Sequence, residues 1–289
     1  MDNGYTWQFS VRTYEMAATG QVGPATLLNY LEEGAVQASS ARGYDYEWYF
    51  TNKRNWVVRR MTIRFYTPVS YGDELELFTW VSTFRRVQSS RECALRRLSD
   101  GDLIARARGN WAFINTETRQ PERIPQNIIE EFDPDGVQED LDTGITEPIV
   151  VEDPVMHTEQ RRVQYHELDS QGHVNHAVYL VWAEQAIMSS LRALGWPPER
   201  FQTSDFTMRL VAADIEYARS ALDDEPVWVV TRLAEIGHDR AAWVSEARHG
   251  ATGEMMAKIV TTYAFTDEKG PRSIPDALQL ALTRRSSSV

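Results

Sequence analysis

Hydrophobic and polar residues alternate with a period of two in several stretches of the chain. Met61, Ile63 and Phe65 alternate with Thr62, Arg64 and Tyr66, and Leu75, Leu77, Thr79 and Val81 with Glu74, Glu76 and Trp80. Because successive side chains of a strand point to opposite faces, this pattern predicts half-buried strands. Residues 227–233, 241–247 and 258–265 read the same way. The run from Ala177 to Met188 contains no breaker and is apolar nearly all round, which predicts a largely buried helix; residues 27–38 are its counterpart. A helix wrapped by a mostly antiparallel sheet, occurring twice, places the chain in the α+β class.

The recurrence is literal. At an offset of 152 residues, Val11, Glu15, Gly20, Val22, Ala25, Leu28, Glu32, Ala41 and Gly43 meet identical residues from Val163 to Gly195, nine matches in 33 positions. The same offset lays Ile63-Arg64-Phe65 on Ile215-Glu216-Tyr217 and Trp111-Ala112-Phe113 on Tyr263-Ala264-Phe265. Solenoids need several short units, and here there are two long ones. A length of 289 residues suits two domains. The expected layout is a first domain over 1–125, an acidic linker over 126–158, a second domain over 159–272 and a flexible tail over 273–289.

Charge refines this layout. The net charge is −12, which disfavours nucleic acid as a partner. Residues 127–160 hold eleven carboxylates and no Lys or Arg, with Pro134, Gly136, Gly144, Pro148 and Pro154 interspersed, so they read as a solvated connector. Arg85, Arg86, Arg91, Arg96, Arg97, Arg106 and Arg108 concentrate positive charge in the first repeat, either on one face that receives an acidic partner or on ordinary solvent-facing strand positions. The single cysteine, Cys93, lies in a strand-like run and is expected to be buried and inert. No apolar stretch is long enough to span a membrane, and the start of the chain does not resemble a signal peptide, so a cytoplasmic location is expected.

Candidate chemistry is concentrated between Tyr165 and Tyr179. Asp169, Gln171, His173, Asn175 and His176 of the second copy correspond to Ala17, Thr19, Gln21, Gly23 and Pro24 of the first. Scaffold residues persist while the titratable ones vanish. Caps and core fillers would be needed in both copies, so this asymmetry points to function. A carboxylate ahead of a buried helix can attack a carbonyl or activate water beside an imidazole or amide. The helix entrance can hold an oxyanion, with the backbone N–H of His176 as the candidate donor. Acyl transfer fits that arrangement.

The string Asp169-Ser170-Gln171-Gly172-His173-Val174-Asn175-His176-x-x-Tyr179, followed by Glu184, resembles the DxxGHVNNxxY…E signature of hotdog-fold acyl thioesterases. The duplicated layout resembles the acyl-ACP thioesterases, which fuse two hotdog domains with the catalytic cluster in the second. Trp56 to Met61, Gly72 to Leu75 and Thr79 to Ser82 support the resemblance in the first half. It implies that Asp169 is the catalytic carboxylate and His173 its imidazole, with Gln171 replacing the family asparagine. Related single-hotdog enzymes use a histidine seven residues after the aspartate, which here is His176. Asn175 and Tyr179, with Arg59 and Arg60 in the first copy, are candidate substrate contacts. The implied substrate is a fatty or aryl acyl thioester of acyl carrier protein or CoA, hydrolysed without metal or organic cofactor.

Glu184 shares a helix face with Leu180, Val181, Ile187 and Met188 and needs a partner there. Glu32 repeats it in the copy lacking the cluster, which suits a structural role; a catalytic carboxylate of raised pKa is the alternative. Two other functions are compatible with the cluster: a hotdog hydratase or dehydratase, and a non-hydrolytic acyl-CoA or acyl-carrier binding protein. No membrane partner is expected, and the fused pair serves as a monomeric pseudo-dimer or assembles further into a homodimer.

Overall fold

The computed structural model describes residues 4–134, 136–138, 141, 149–152, 154–203, 206–267 and 270–283. The chain forms two compact units, Met1–Leu141 and Asp142–Val289. In the first, β1 (Tyr5–Ser10) leads through a 3-10 turn (Thr13–Glu15) to α1 (Pro24–Ser40) and α2 (Tyr46–Thr51). There follow β2 (Arg54–Phe65), β3 (Glu74–Phe84), β4 (Gln88–Arg97), β5 (Leu103–Asn115) and α3 (Gln126–Phe132). The strands pair antiparallel in the order β1-β3-β4-β5-β2.

The second unit repeats the plan. It runs β6 (Ile149–Val150), β7 (Met156–Arg162), a 3-10 turn (Tyr165–Glu167), α4 (Val178–Ala193), α5 (Pro198–Thr203), β8 (Thr207–Tyr217), β9 (Pro226–Ile236), β10 (Arg240–His249), β11 (Met255–Asp267), β12 (Gly270–Pro271) and α6 (Asp276–Thr283). β6 and β7 pair with β9, which is followed in the sheet by β10, β11 and β8; β12 extends β11. Shifted by 152, α2, β3, β4 and β5 coincide at both ends with α5, β9, β10 and β11. The offset read from side-chain identities is therefore an offset of backbone elements.

Each long helix lays its apolar stripe on its own sheet. Leu27, Leu28, Tyr30, Leu31 and Ala38 of α1 are buried, as are Leu180, Ala183, Ala186, Ile187 and Leu191 of α4. In α1 the approach to β3 is so close that a Cβ on Gly34 would lie 2.1 Å from Leu77 Cδ2. The second copy has Ala186 and Val229 at the corresponding places, a larger helix residue against a smaller strand residue. Such compensation is how a close-packed interior keeps its volume when two copies diverge.

Three sequence expectations need correction. Residues 126–132 are not connector: they form α3, whose Ile128 and Phe132 join Tyr44, Val81, Phe113 and Ile124 in one apolar cluster. Acidic residues there occupy the solvent side of an amphipathic helix, so charge density hid the buried positions. Residues 156–158 likewise lie in β7, while 135, 139–140, 142–148 and 153 fall outside the described residues. The tail is also structured as far as Thr283, since α6 buries Leu278 and Leu282; residues 284–289 lie outside the description.

The arginine run, finally, is not one free face. Arg91 is buried, and the loss of hydration pushes its pKa down to about 10. Arg108 pairs with the fully buried Glu92 at 2.7 Å, and Arg97 bridges Asp73 and Asp100. Cys93 is buried as expected, and its surroundings push the thiol up to about 11.

Candidate active site

The chemistry-bearing segment is a tight hairpin between β7 and α4. The Asp169 carbonyl accepts from the Gly172 N–H at 3.0 Å, the Asp169 N–H donates to the His173 carbonyl at 2.9 Å, and Leu168 pairs with Val174. Gly172 supplies the positive φ of 75° that the turn requires. The first copy builds the same backbone: Gly20 N–H to Ala17 O at 3.0 Å, Ala17 N–H to Gln21 O at 2.8 Å, and Met16 paired with Val22. An identical loop thus exists with and without the titratable side chains. The loop's geometry does not depend on Asp169 or His173.

Within this hairpin, Asp169 Oδ2 lies 3.1 Å from His173 Nδ1, and Asp169 Oδ1 accepts from the Gln171 backbone N–H at 2.8 Å. Both oxygens are engaged, which fixes the carboxylate plane. The hydrogen bond to Asp169, followed by its negative charge, raises the His173 pKa against the opposing effect of burial. Pairing through Nδ1 puts a proton on that nitrogen and turns Nε2 outward as acceptor. The side chains of His173 and Asp169 are 24% and 20% exposed, so solvent reaches them.

The structure separates the remaining candidates. His176 is buried, its ring 6.3 Å from that of Tyr217, and its carbonyl accepts from the Tyr217 hydroxyl. The imidazole paired with Asp169 is therefore that of His173. Gln171 sits exposed at the turn, where its contact with Asp169 is made by the backbone N–H, not by the side-chain amide. Asn175 Oδ1 accepts from the Ala177 N–H at 2.9 Å, and its carbonyl from Val178; it shapes the turn that leads into α4, and that oxygen is spent on the backbone. Tyr179 is buried and its hydroxyl accepts from the Ala221 N–H at 2.9 Å, so it braces the interior in place of lining an open site. Arg59 and Arg60 are exposed on β2 of the first unit, at an irregularity of the pairing with β5.

Glu184 lies half-buried on α4, and burial alone raises its pKa to about 7. Its negative charge is felt by the fully enclosed hydroxyl of Tyr263 on β11. No hydrogen bond joins Glu184 to the Asp169–His173 pair among the described residues.

Sequence reasoning missed the segment that follows β8. Ala221 O accepts from the Val174 N–H at 2.9 Å and Leu222 pairs with His173, so residues 221–222 form the other wall of the hairpin. Arg219 and Glu225 hold that wall in shape through a two-pronged ion pair. Nothing in the spacing signals this, since the partners lie almost fifty residues apart. Among the described residues, no group of three or more His, Cys, Asp or Glu side chains is disposed to hold a metal ion.

Two helix-on-sheet units in tandem, with an acid–imidazole pair in the second alone, define a duplicated hotdog fold with one candidate site. Residues 2–132 match the acyl-ACP thioesterase N-terminal domain, and residues 163–282 match the thioesterase-like superfamily. Oleoyl-acyl carrier protein thioesterase 1 of Arabidopsis thaliana is 24% identical over 251 residues, covering 81% of this chain and 65% of that protein. Palmitoyl-acyl carrier protein thioesterase of Gossypium hirsutum is 24% identical over 252 residues, covering 84% of this chain and 58% of that one. The chain thus spans less than two thirds of these relatives. The 12:0-ACP thioesterase of Umbellularia californica shares the fold, with a TM-score of 0.71 at 17% identity over 91% of this chain and 98% of that one.

Proposed function

We propose that the chain hydrolyses acyl thioesters carried on acyl carrier protein. The observation that carries this reading is the 3.1 Å pair of Asp169 and His173, on a hairpin whose twin in the first unit has the same backbone and neither side chain. Asp169 fixes the proton on Nδ1 of His173. Nε2 takes a proton from the attacking water, and the carboxylate offsets the charge of the resulting imidazolium. The tetrahedral adduct collapses with loss of the phosphopantetheine thiol, to which His173 returns its proton.

Binding without hydrolysis is the competing function, and hydration of a C=C bond a second. Thiol release from a panel of acyl-carrier and acyl-CoA thioesters separates all three. Rapid release by the native protein, lost in Asp169→Ala with the fold intact, supports the reading. Tight binding without thiol release on every substrate would sink it.

A further inference from the structure

The two copies differ at a second place, and there the first copy carries the chemistry. In the first unit, the β3–β4 turn is closed by Arg85 N–H to Gln88 O at 2.7 Å, and Arg86 O accepts from the Ile124 N–H at 3.1 Å. The second unit repeats both bonds, with Gly237 N–H to Arg240 O at 2.7 Å and Ile274 N–H to His238 O at 3.0 Å. Arg85, Arg86 and Arg123 of the first copy therefore correspond to Gly237, His238 and Ser273 of the second. In the second copy His238 Nε2 and Ser273 Oγ lie 2.7 Å apart and satisfy each other. In the first, three exposed guanidinium groups border a hollow of about 620 Å³ whose floor includes Phe84, Ile124 and Ile129.

None of the three arginines pairs with a carboxylate among the described residues. Of the carboxylates nearby in sequence, Glu122 pairs with Arg54 and Glu130 accepts from Gln126. In a chain of net charge −12, a cluster of three exposed arginines over an apolar floor is a local concentration of positive charge. Screening over a Debye length of about 8 Å lets such a patch act locally against the overall field.

We propose that this hollow docks the acyl carrier protein itself, through an acidic helix whose carboxylates meet Arg85, Arg86 and Arg123 and whose apolar residues enter between them. The inference rests on the carrier-bound substrate proposed above and adds the surface that recognises the carrier. Guanidinium groups suit such an interface because they pair with carboxylates in two-pronged geometry and are weakly hydrated. Complementary charge of this kind acts chiefly on encounter and specificity.

The test is the Arg85→Glu/Arg86→Glu/Arg123→Glu variant, with Lys258→Glu in the second unit as a control for net charge. KM and kcat are measured on an acyl-carrier thioester and on the same acyl group on CoA, and binding of holo-carrier without acyl group is measured directly. The expected result is a rise of tenfold or more in KM for the carrier substrate, loss of the salt dependence of that KM, and unchanged kinetics on acyl-CoA. An unchanged carrier KM, or an equal loss on both substrates, would overturn the proposal. Arginine-dependent binding of holo-carrier by a protein that releases no thiol would uphold the docking surface and reject the hydrolytic reading instead.

Discussion

The indole N–H of Trp182 donates to Glu167 Oε1 at 3.0 Å, and at the same place in the first copy the Tyr30 hydroxyl donates to Glu15 Oε2 at 2.7 Å. Each glutamate also accepts from a backbone N–H at the start of its 3-10 turn, Gln164 in one copy and Arg12 in the other. One carboxylate thus ties the long helix to the loop that precedes it, whichever aromatic donor is present. Arg161 completes the second-copy arrangement by pairing with Glu167 while stacking 4.6 Å from the Trp182 ring centre.

Glu167→Ala is therefore expected to act on stability. It leaves the Trp182 N–H and Arg161 without their acceptor, a loss of about 2–4 kcal/mol. Urea unfolding of the variant measures it. A midpoint equal to that of the native protein would contradict this role.

For Asp169→Asn the loss falls on turnover, with kcat expected to fall about 10²–10⁴-fold as the imidazole loses its orienting charge. Asp169 raises the His173 pKa, so the substitution lowers it. With neutral imidazole as the proposed base, residual activity is then expected at lower pH than in the native protein. NMR titration of His173 and the acidic limb of the pH–rate profile must move down together; an unmoved titration would refute the pairing.

Glu184 sets a pH dependence of stability. Its folded pKa is raised from 4.5 to about 7, so the folded state holds the proton more tightly than the unfolded chain. Stability is accordingly highest below about pH 4.5 as far as this group is concerned, and falls as pH rises from there to about 7, by up to about 3 kcal/mol. Glu184→Gln removes the ionisation. The variant should melt higher than the native protein at pH 8, and the advantage should shrink as pH falls and vanish below about pH 4.5. Equal melting temperatures at pH 8 would place the carboxyl in contact with solvent.

Ile128→Ala tests whether α3 belongs to the core of the first unit. Truncating a fully buried isoleucine in a packed cluster costs about 2–5 kcal/mol, whereas the same change in a solvated connector costs almost nothing. Denaturant unfolding of the two proteins distinguishes these outcomes.

Much of this architecture was legible in the sequence because it is periodic or repeated. Alternation along 74–81 and 227–233 marked β3 and β9, and the apolar run after Ala177 marked α4, because a buried face imposes its period on the residues that build it. The offset of 152 and the loss of Asp169, His173 and Asn175 from the first copy singled out the candidate hairpin from the sequence alone.

What composition concealed was burial within charged segments. α3 and α6 each bury two apolar residues inside stretches that read as connector and tail, because a short amphipathic helix needs only one buried turn-spaced pair. The arginine-rich strands misled in the opposite direction. Arg91 and Arg108 point inward to Thr79 and Glu92, while Arg85, Arg86 and Arg123, which pair with no carboxylate among the described residues, are assembled from a turn and a distant segment.

The sequence by itself determined the duplication, the α+β class and the segment that carries the candidate site residues, since each is a pattern local to the chain or repeated along it. Only the tertiary structure decided that His173 and not His176 pairs with Asp169, that Asn175 and Tyr179 serve the backbone, and that residues 221–222 wall the site. Those outcomes depend on where one strand end meets a loop almost fifty residues earlier, and hydrogen-bond partners at that separation are chosen by packing, which leaves no period in the sequence.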